Sequence, residues 1–312
     1  FLIICLCLLM ALVGCSSPQE SERGQISPDN PLRVVATTSL VADLVSQIGG
    51  AFVDVEGLMG PGVDPHLYKA SEGDVSLMTR ADLIFYNGMH LEGKMVDIFE
   101  QMHSRGAEVH AVTAGVEESE LIASDQFTGS LDPHIWFDPV LWKRAAVMVG
   151  ETLAGTDSLH AEYYRNEAAR FGGELDSLFA WAAGEMASIP EGNRVLITSH
   201  DAFGYFGRAF DMEVRGLQGI STALEAGTAD VSDLAEFVAS SRIPAMFVES
   251  SISPRGIEAV REAVRARGFD VQIGGTLYGD ALGSSGTAEA SYVGMFRSNV
   301  ATIVSGLSAN VQ

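Results

Sequence analysis

Short runs of apolar, β-branched residues alternate with longer amphipathic segments along most of the chain. Strands are predicted at 32–38, 52–58, 81–87, 107–112, 194–200, 213–217, 244–249 and 269–273. Helical spacing is found between several of them, at 71–80, 91–104, 231–241 and 256–267. Repeated alternation of strand and helix predicts an α/β fold with mainly parallel sheets.

One helical segment is longer than the others. Residues 157–189 keep mixed three- and four-residue apolar spacing, with no proline until Pro190. About thirty helical residues would span roughly 45 Å, which is enough to cross between domains. We therefore expect an N-terminal α/β lobe at 32–156 and a C-terminal α/β lobe at 190–312, with a single connecting helix at 157–189.

The N-terminal end is apolar and then changes character at a cysteine. Residues 1–13 match the apolar region of a signal peptide, and a small residue precedes Cys15, as in a bacterial lipobox. We therefore predict a signal peptide at 1–15, a lipid on Cys15 and a flexible tether at 16–31. The alternatives are an ordinary signal peptide with an incidental cysteine, or an uncleaved anchor. All three cysteines lie within residues 1–15, which predicts a domain without disulfides.

Charge excludes one class of partner. The chain has 19 Lys and Arg against 41 Asp and Glu, a formal net charge of −22. Nucleic acid is not expected as a partner, because binding phosphates requires a basic face. An acidic surface attracts cations, but it also serves solubility and does not define a site.

Candidate chemistry is concentrated in a few short motifs. Asp-Pro-His occurs twice, ending at His66 and at His134, while His200 ends a predicted strand and Asp280 follows another. Three imidazoles and one carboxylate suffice to fill the inner shell of a divalent metal ion. Ligands of open α/β sheets bind beyond the carboxyl ends of strands, where three of these residues are expected.

The proline of each Asp-Pro-His motif restricts the residue before it to an extended conformation. Asp64 and Asp132 are therefore candidates for accepting an N–H group of the following histidine and orienting its ring. The alternative is that both aspartates simply start turns or cap helices.

Six separated blocks resemble one known family over nearly the whole domain. They are the segments 57–68, 132–139, 198–206, 219–222, 247–251 and 277–283. In this order they resemble the zinc/manganese solute-binding lipoproteins of ABC importers, cluster A-I, of the TroA type. The resemblance implies two α/β lobes joined by one long helix, in agreement with the expectation above.

The resemblance also implies a function. It assigns metal coordination in the interlobe cleft to His66, His134, His200 and Asp280, with Glu249 nearby as a further group around the site. It implies a monomeric, non-catalytic lipoprotein at the cell membrane or in the periplasm. Such a protein would pass Zn²⁺ or Mn²⁺ to an ABC permease and its ATPase.

The sequence leaves open which metal is bound, and it allows two other functions. Segment 115–130 is acidic but has no histidine, unlike the His-rich loop of many zinc-specific members, so Mn²⁺ and Fe²⁺ stay open. Histidine at position 200 favours zinc, because more nitrogen ligands suit that ion. A zinc hydrolase with Glu249 as its base is the enzymatic alternative. A surface adhesin on the same fold is another, and it is compatible with transport.

Overall fold

The computed structural model describes residues 24–124 and 129–308. The predicted signal peptide at 1–15, the lipidation site Cys15 and the first part of the tether lie outside these residues. Within the described ranges, no helix is both long enough and apolar enough to cross a membrane.

The first part of the chain forms one four-stranded sheet. Its strands are β1 (Leu32–Ala36), β2 (Val53–Gly57), β3 (Leu83–Tyr86) and β4 (Val109–Ala111). They pair in parallel in the order β2-β1-β3-β4. The helices of this part are α1 (Ser39–Gly49), α2 (Glu72–Arg80) and α3 (Val96–Ser104).

Two long helices follow, and only the second was predicted. They are α4 (Pro139–Thr156) and α5 (Ala161–Met186), separated by a short 3₁₀ turn. The start of α4 was recognisable, because Asp138 caps the Val140 N–H with its carboxylate and Pro139 occupies the first helical turn. The helical pattern at 157–189 corresponds to that short turn together with α5.

The remaining strands form two parallel pairs. The strands β5 (Val195–His200) and β6 (Glu213–Gln218) form one pair, and β7 (Ala245–Glu249) and β8 (Gln272–Leu277) form the other. Four helices accompany them: α6 (Gly204–Phe210), α7 (Thr228–Ser240), α8 (Arg255–Ala266) and α9 (Tyr292–Leu307). The predicted α/β class with parallel sheets is confirmed, although β8 begins three residues later than the strand predicted at 269–273.

The largest hydrophobic core among the described residues joins elements that are far apart in the sequence. It contains buried residues of β1, α1, α4, α5 and α9. At its centre the rings of Trp142 and Tyr292 stack with their centroids 5.6 Å apart. The long helices are thus part of the packed interior, and this interior supports the loops at the carboxyl ends of the strands.

Candidate metal centre

The structure brings four of the sequence-predicted site residues to one point. One ligand atom from each of His66, His134, His200 and Asp280 lies within 4.8 Å of the others. All four side chains are buried, with exposed fractions of 4%, 0%, 0% and 1% in that order. The two Asp-Pro-His motifs, far apart in the sequence, therefore contribute to the same cluster.

Each histidine turns its Nε2 atom toward the carboxylate of Asp280. The distances from Nε2 to the nearer Asp280 oxygen are 3.8 Å for His66, 3.6 Å for His134 and 3.4 Å for His200. Within the described chain these three nitrogens and both Asp280 oxygens have no hydrogen-bond partner. Leaving a buried polar group unpaired costs about 1–3 kcal/mol, so five such atoms around one point fit a divalent cation.

Strand ends account for the positions of two of these residues. His200 is the last residue of β5, and Asp280 lies just beyond Leu277, the last residue of β8. Both β5 and β8 are parallel strands, and ligands bind beyond the carboxyl ends of such strands. His66 and His134 instead come from loops, His134 immediately before a 3₁₀ turn at Ile135–Phe137.

His134 is held by the aspartate of its own motif. One Asp132 oxygen lies 2.7 Å from the ring Nδ1 of His134 and accepts the His134 backbone N–H at 2.9 Å. An Nδ1–H donated to a carboxylate leaves Nε2 unprotonated and available for a metal.

Glu249 of another strand holds the backbone of His200 and faces its ring. The Nδ1 of His200 lies 2.8 Å from Glu249 Oε2, and its backbone N–H donates to Glu249 Oε1 at 2.9 Å. The loop of Asp280 passes so close that a side chain at Gly279 would collide with the Glu249 carboxylate. Glycine at this position is therefore a steric requirement of the site.

Asp64 makes a different set of contacts. Its Oδ1 accepts the backbone N–H of His66 at 2.9 Å, and its Oδ2 accepts the hydroxyl of Thr222 at 2.6 Å. The carboxylate thus shapes the turn that carries His66 and ties that turn to the loop after β6. Thr222 received no role in the sequence analysis, although it lies in one of the blocks that carry the family resemblance.

Two further side chains connect the loops around the cluster. The indole N–H of Trp136 donates to the carbonyl of Gly279 at 3.1 Å, and the Tyr292 hydroxyl donates to the carbonyl of Trp136 at 2.7 Å. The ring of Trp136 also packs edge-on against His134, with centroids 5.1 Å apart. Sequence reasoning missed both residues, because an aromatic side chain gives no sequence signal of a hydrogen-bond partner that is distant in the chain.

Burial and charge give His66 and His200 different proton affinities. Burial lowers the pKa of His66 to about 3, so its ring is neutral near pH 7. Burial also lowers the pKa of His200, but the nearby charges of Glu249 and Asp280 outweigh it and hold this pKa well above its ordinary value. Burial raises the pKa of Asp280, but attraction to His200, His134 and His66 together outweighs it and holds this pKa below its ordinary value, so Asp280 stays ionised.

A small cavity lies beside the cluster on the His66 side. Its volume is about 300 Å³, and its lining includes His66, His90, Pro133 and Ser221. His90 is exposed and has a left-handed backbone with φ of 63°. A route from solvent therefore reaches the cluster at His66.

Comparison with known proteins gives separate evidence on the family of this chain. The family model described as "ZnuA: Zinc-uptake complex component A periplasmic" matches residues 34–306. The chain is 42% identical to the manganese-binding lipoprotein MntA of Bacillus subtilis, over 95% of each chain. It is 43% identical to the zinc-binding protein TroA of Treponema pallidum, over 98% of each chain.

A solved structure gives the same result for the fold. The periplasmic zinc-binding protein TroA from Treponema pallidum superimposes with a TM-score of 0.87 at 44% identity, covering 89% of this chain and 100% of that one. A buried cluster with the ligand set of a transition-metal site, on this fold, is typical of substrate-binding proteins of metal transport. The chain belongs to the periplasmic zinc-uptake component A family.

Proposed function

We propose that this protein is the extracytoplasmic metal-binding component of an ABC importer. It captures one Zn²⁺ or Mn²⁺ ion through His66, His134, His200 and Asp280 and delivers it to a membrane permease coupled to an ATPase. The observation that carries the proposal is the convergence of four buried ligand atoms whose hydrogen-bonding capacity the protein leaves unused.

The chemistry of the donor set supports binding rather than catalysis. Three neutral imidazoles and one carboxylate leave a formal charge of about +1 on a bound divalent ion, which a partly buried site tolerates. A hydrolytic zinc site keeps one position open for water, whereas four protein ligands fill a tetrahedral shell. Glu249, the base of the hydrolase alternative, faces His200 with both of its oxygens. We therefore infer that the protein has no enzymatic activity.

The ligand set also suggests an order of affinities. Three nitrogen ligands favour zinc over manganese, and most sites of this kind bind zinc more tightly than manganese. One relative is named for manganese and another, of nearly equal similarity, for zinc, so overall similarity does not distinguish the two cargoes. We propose that the isolated protein binds Zn²⁺ more tightly than Mn²⁺, with Fe²⁺ as a further alternative cargo.

The remaining parts of the proposal concern organisation. We propose that the lobes 32–156 and 190–312 enclose the site, with 157–189 as the connecting segment. We also propose that the protein acts as a monomer anchored to the membrane by a lipid on Cys15. The exported location is supported by the periplasmic description of the family.

Calorimetry on protein stripped of metal by chelation tests the proposal. We expect one Zn²⁺ per chain, and a loss of affinity of about 100-fold or more in His200→Ala and in Asp280→Ala, because each removes a ligand. His103→Ala is the matched control, since His103 is an exposed histidine outside the cluster. Unchanged stoichiometry and affinity in both ligand variants would refute the assignment.

A further inference from the structure

The three histidines of the cluster are positioned in two different ways. His134 and His200 each have a carboxylate partner at Nδ1, Asp132 at 2.7 Å and Glu249 at 2.8 Å. Within residues 24–124 and 129–308, the one carboxylate within 4.0 Å of a His66 ring nitrogen is Asp280, a member of the cluster itself. His66 is thus positioned by its backbone turn rather than by a partner on its ring.

That turn is held to the loop after β6 by one side chain. Asp64 accepts the His66 backbone N–H at 2.9 Å with one oxygen and the Thr222 hydroxyl at 2.6 Å with the other. Asp64 follows β2, whereas Thr222 follows β6 and is 158 positions away in the sequence. Thr222 is itself buried, with 5% of its surface exposed. The hydrogen bond is partly buried, and it joins loops from two different sheets.

The same turn lies on the route to solvent. His66 retains 4% exposure, whereas His134 and His200 have none. The lining of the cavity beside the cluster includes both His66 and Ser221, the neighbour of Thr222. Separating these two loops would widen this cavity and move His66 away from the other ligands.

We propose that the hydrogen bond from Thr222 to Asp64 is a latch that holds His66 on the bound ion and sets the rate of metal release. This inference rests on the proposed function. Closing the latch completes the coordination shell after the ion has met the buried ligands, so its strength governs dissociation rather than encounter. A hydrogen bond to a charged acceptor is strong enough to change a rate by about tenfold or more.

Kinetics on the zinc-loaded protein test the latch. Release of Zn²⁺ is followed by stopped flow with excess chelator and an absorbance indicator, and association is measured separately with stripped protein. In Thr222→Val we expect release about tenfold faster, with association changed less than about twofold. Thr222→Ser keeps the hydroxyl and should release zinc at the wild-type rate.

Thr79→Val is the matched control for the loss of a threonine hydroxyl. The hydroxyl of Thr79 donates to the Val75 carbonyl within α2, so this variant should leave both rates unchanged. An unchanged release rate in Thr222→Val would overturn the latch while leaving the proposed function intact. A change confined to association, or a lower unfolding midpoint of the metal-free variant, would also overturn it by indicating a purely structural role. Wild-type protein that binds no zinc would instead refute the proposed function, and the latch with it.

Discussion

Two imidazoles of the cluster, His66 and His200, differ in proton affinity because they have different neighbours. Burial dominates at His66 and favours the neutral ring, whereas the charges of Glu249 and Asp280 favour the protonated ring of His200. A divalent ion needs unprotonated nitrogen, so metal and proton compete for His200 near neutral pH.

Metal affinity should therefore already vary with pH at pH values above the ordinary pKa of histidine. The raised pKa of His200 means that a proton is displaced on binding at pH 7, so affinity falls as pH decreases through that raised pKa. Calorimetry in buffers of different ionisation enthalpy should detect about one proton released per Zn²⁺ at pH 7.

The control for this prediction removes one of the responsible charges. Glu249→Gln should lower the pKa of His200 and reduce proton release at pH 7. Affinity that is constant between pH 6 and pH 8 would contradict the assignment. The same raised pKa stabilises the metal-free fold below about pH 6.5, and this contribution is lost as pH rises through the raised value.

At the scale of elements, the connection between β3 and α3 is organised by a buried carboxylate. Glu92 accepts the Thr37 hydroxyl and the Asn87 N–H, each at 2.7 Å, and the Gly88 N–H at 3.3 Å. Within this turn Met89 and His90 are both left-handed, with φ of 51° and 63°. Side-chain hydrogen bonds of this kind hold the backbone in a conformation that is unfavourable on its own.

Replacing Glu92 should therefore destabilise the protein substantially. Glu92→Ala leaves three buried donors without their acceptor, and we expect the free energy of unfolding to fall by about 2–4 kcal/mol. Glu92→Gln retains a carbonyl acceptor and should lose less. Urea unfolding followed by circular dichroism measures both variants, and equal losses would show that hydrogen bonding by Glu92 is not the cause.

The turn also illustrates what sequence could and could not predict. Strand and helix periodicity located most elements, and the Asp-Pro-His motifs and family blocks predicted the four clustered residues. Local signals at Asp138 and Pro139 could have predicted α4 as well. The hydrogen bonds of Glu92 to Thr37 and of Asp64 to Thr222 join residues 55 and 158 positions apart. Such pairings arise only from the folded backbone, and no local pattern indicates them.

At the scale of the whole molecule, the long helices share one interior with both ends of the chain. Leu175 of α5 is fully buried in the core that also contains Leu32 of β1 and Leu307 of α9. A continuous core resists independent movement of its parts, because packed interiors have low compressibility. Loading and release are therefore expected to involve local shifts of the loops around the cluster.

Shortening a side chain of this core should lower the stability of the whole domain, which should still unfold as one unit. For Leu175→Ala we expect the free energy of unfolding to fall by about 2–5 kcal/mol, through lost burial and the cavity left behind. Calorimetry should still show a single transition, because the core is shared. Two resolved transitions in the variant would indicate that the halves unfold independently. Leu159→Ala, at an exposed position, is the matched control and should change little.

Bound metal should oppose this loss in wild-type protein and in the Leu175 variant alike. An ion that binds only the folded chain stabilises it by about 2.7 kcal/mol at a free concentration 100 times its Kd.

The contact between Trp136 and His134 provides a way to observe that ion directly. A buried indole 5.1 Å from a ligand ring is close enough for its fluorescence to respond to the electronic state of the bound ion. Mn²⁺ has unpaired d electrons that quench a nearby indole, whereas Zn²⁺ has a closed d shell and does not quench by this route. The chain therefore carries its own optical indicator, which distinguishes the two candidate cargoes without any added label.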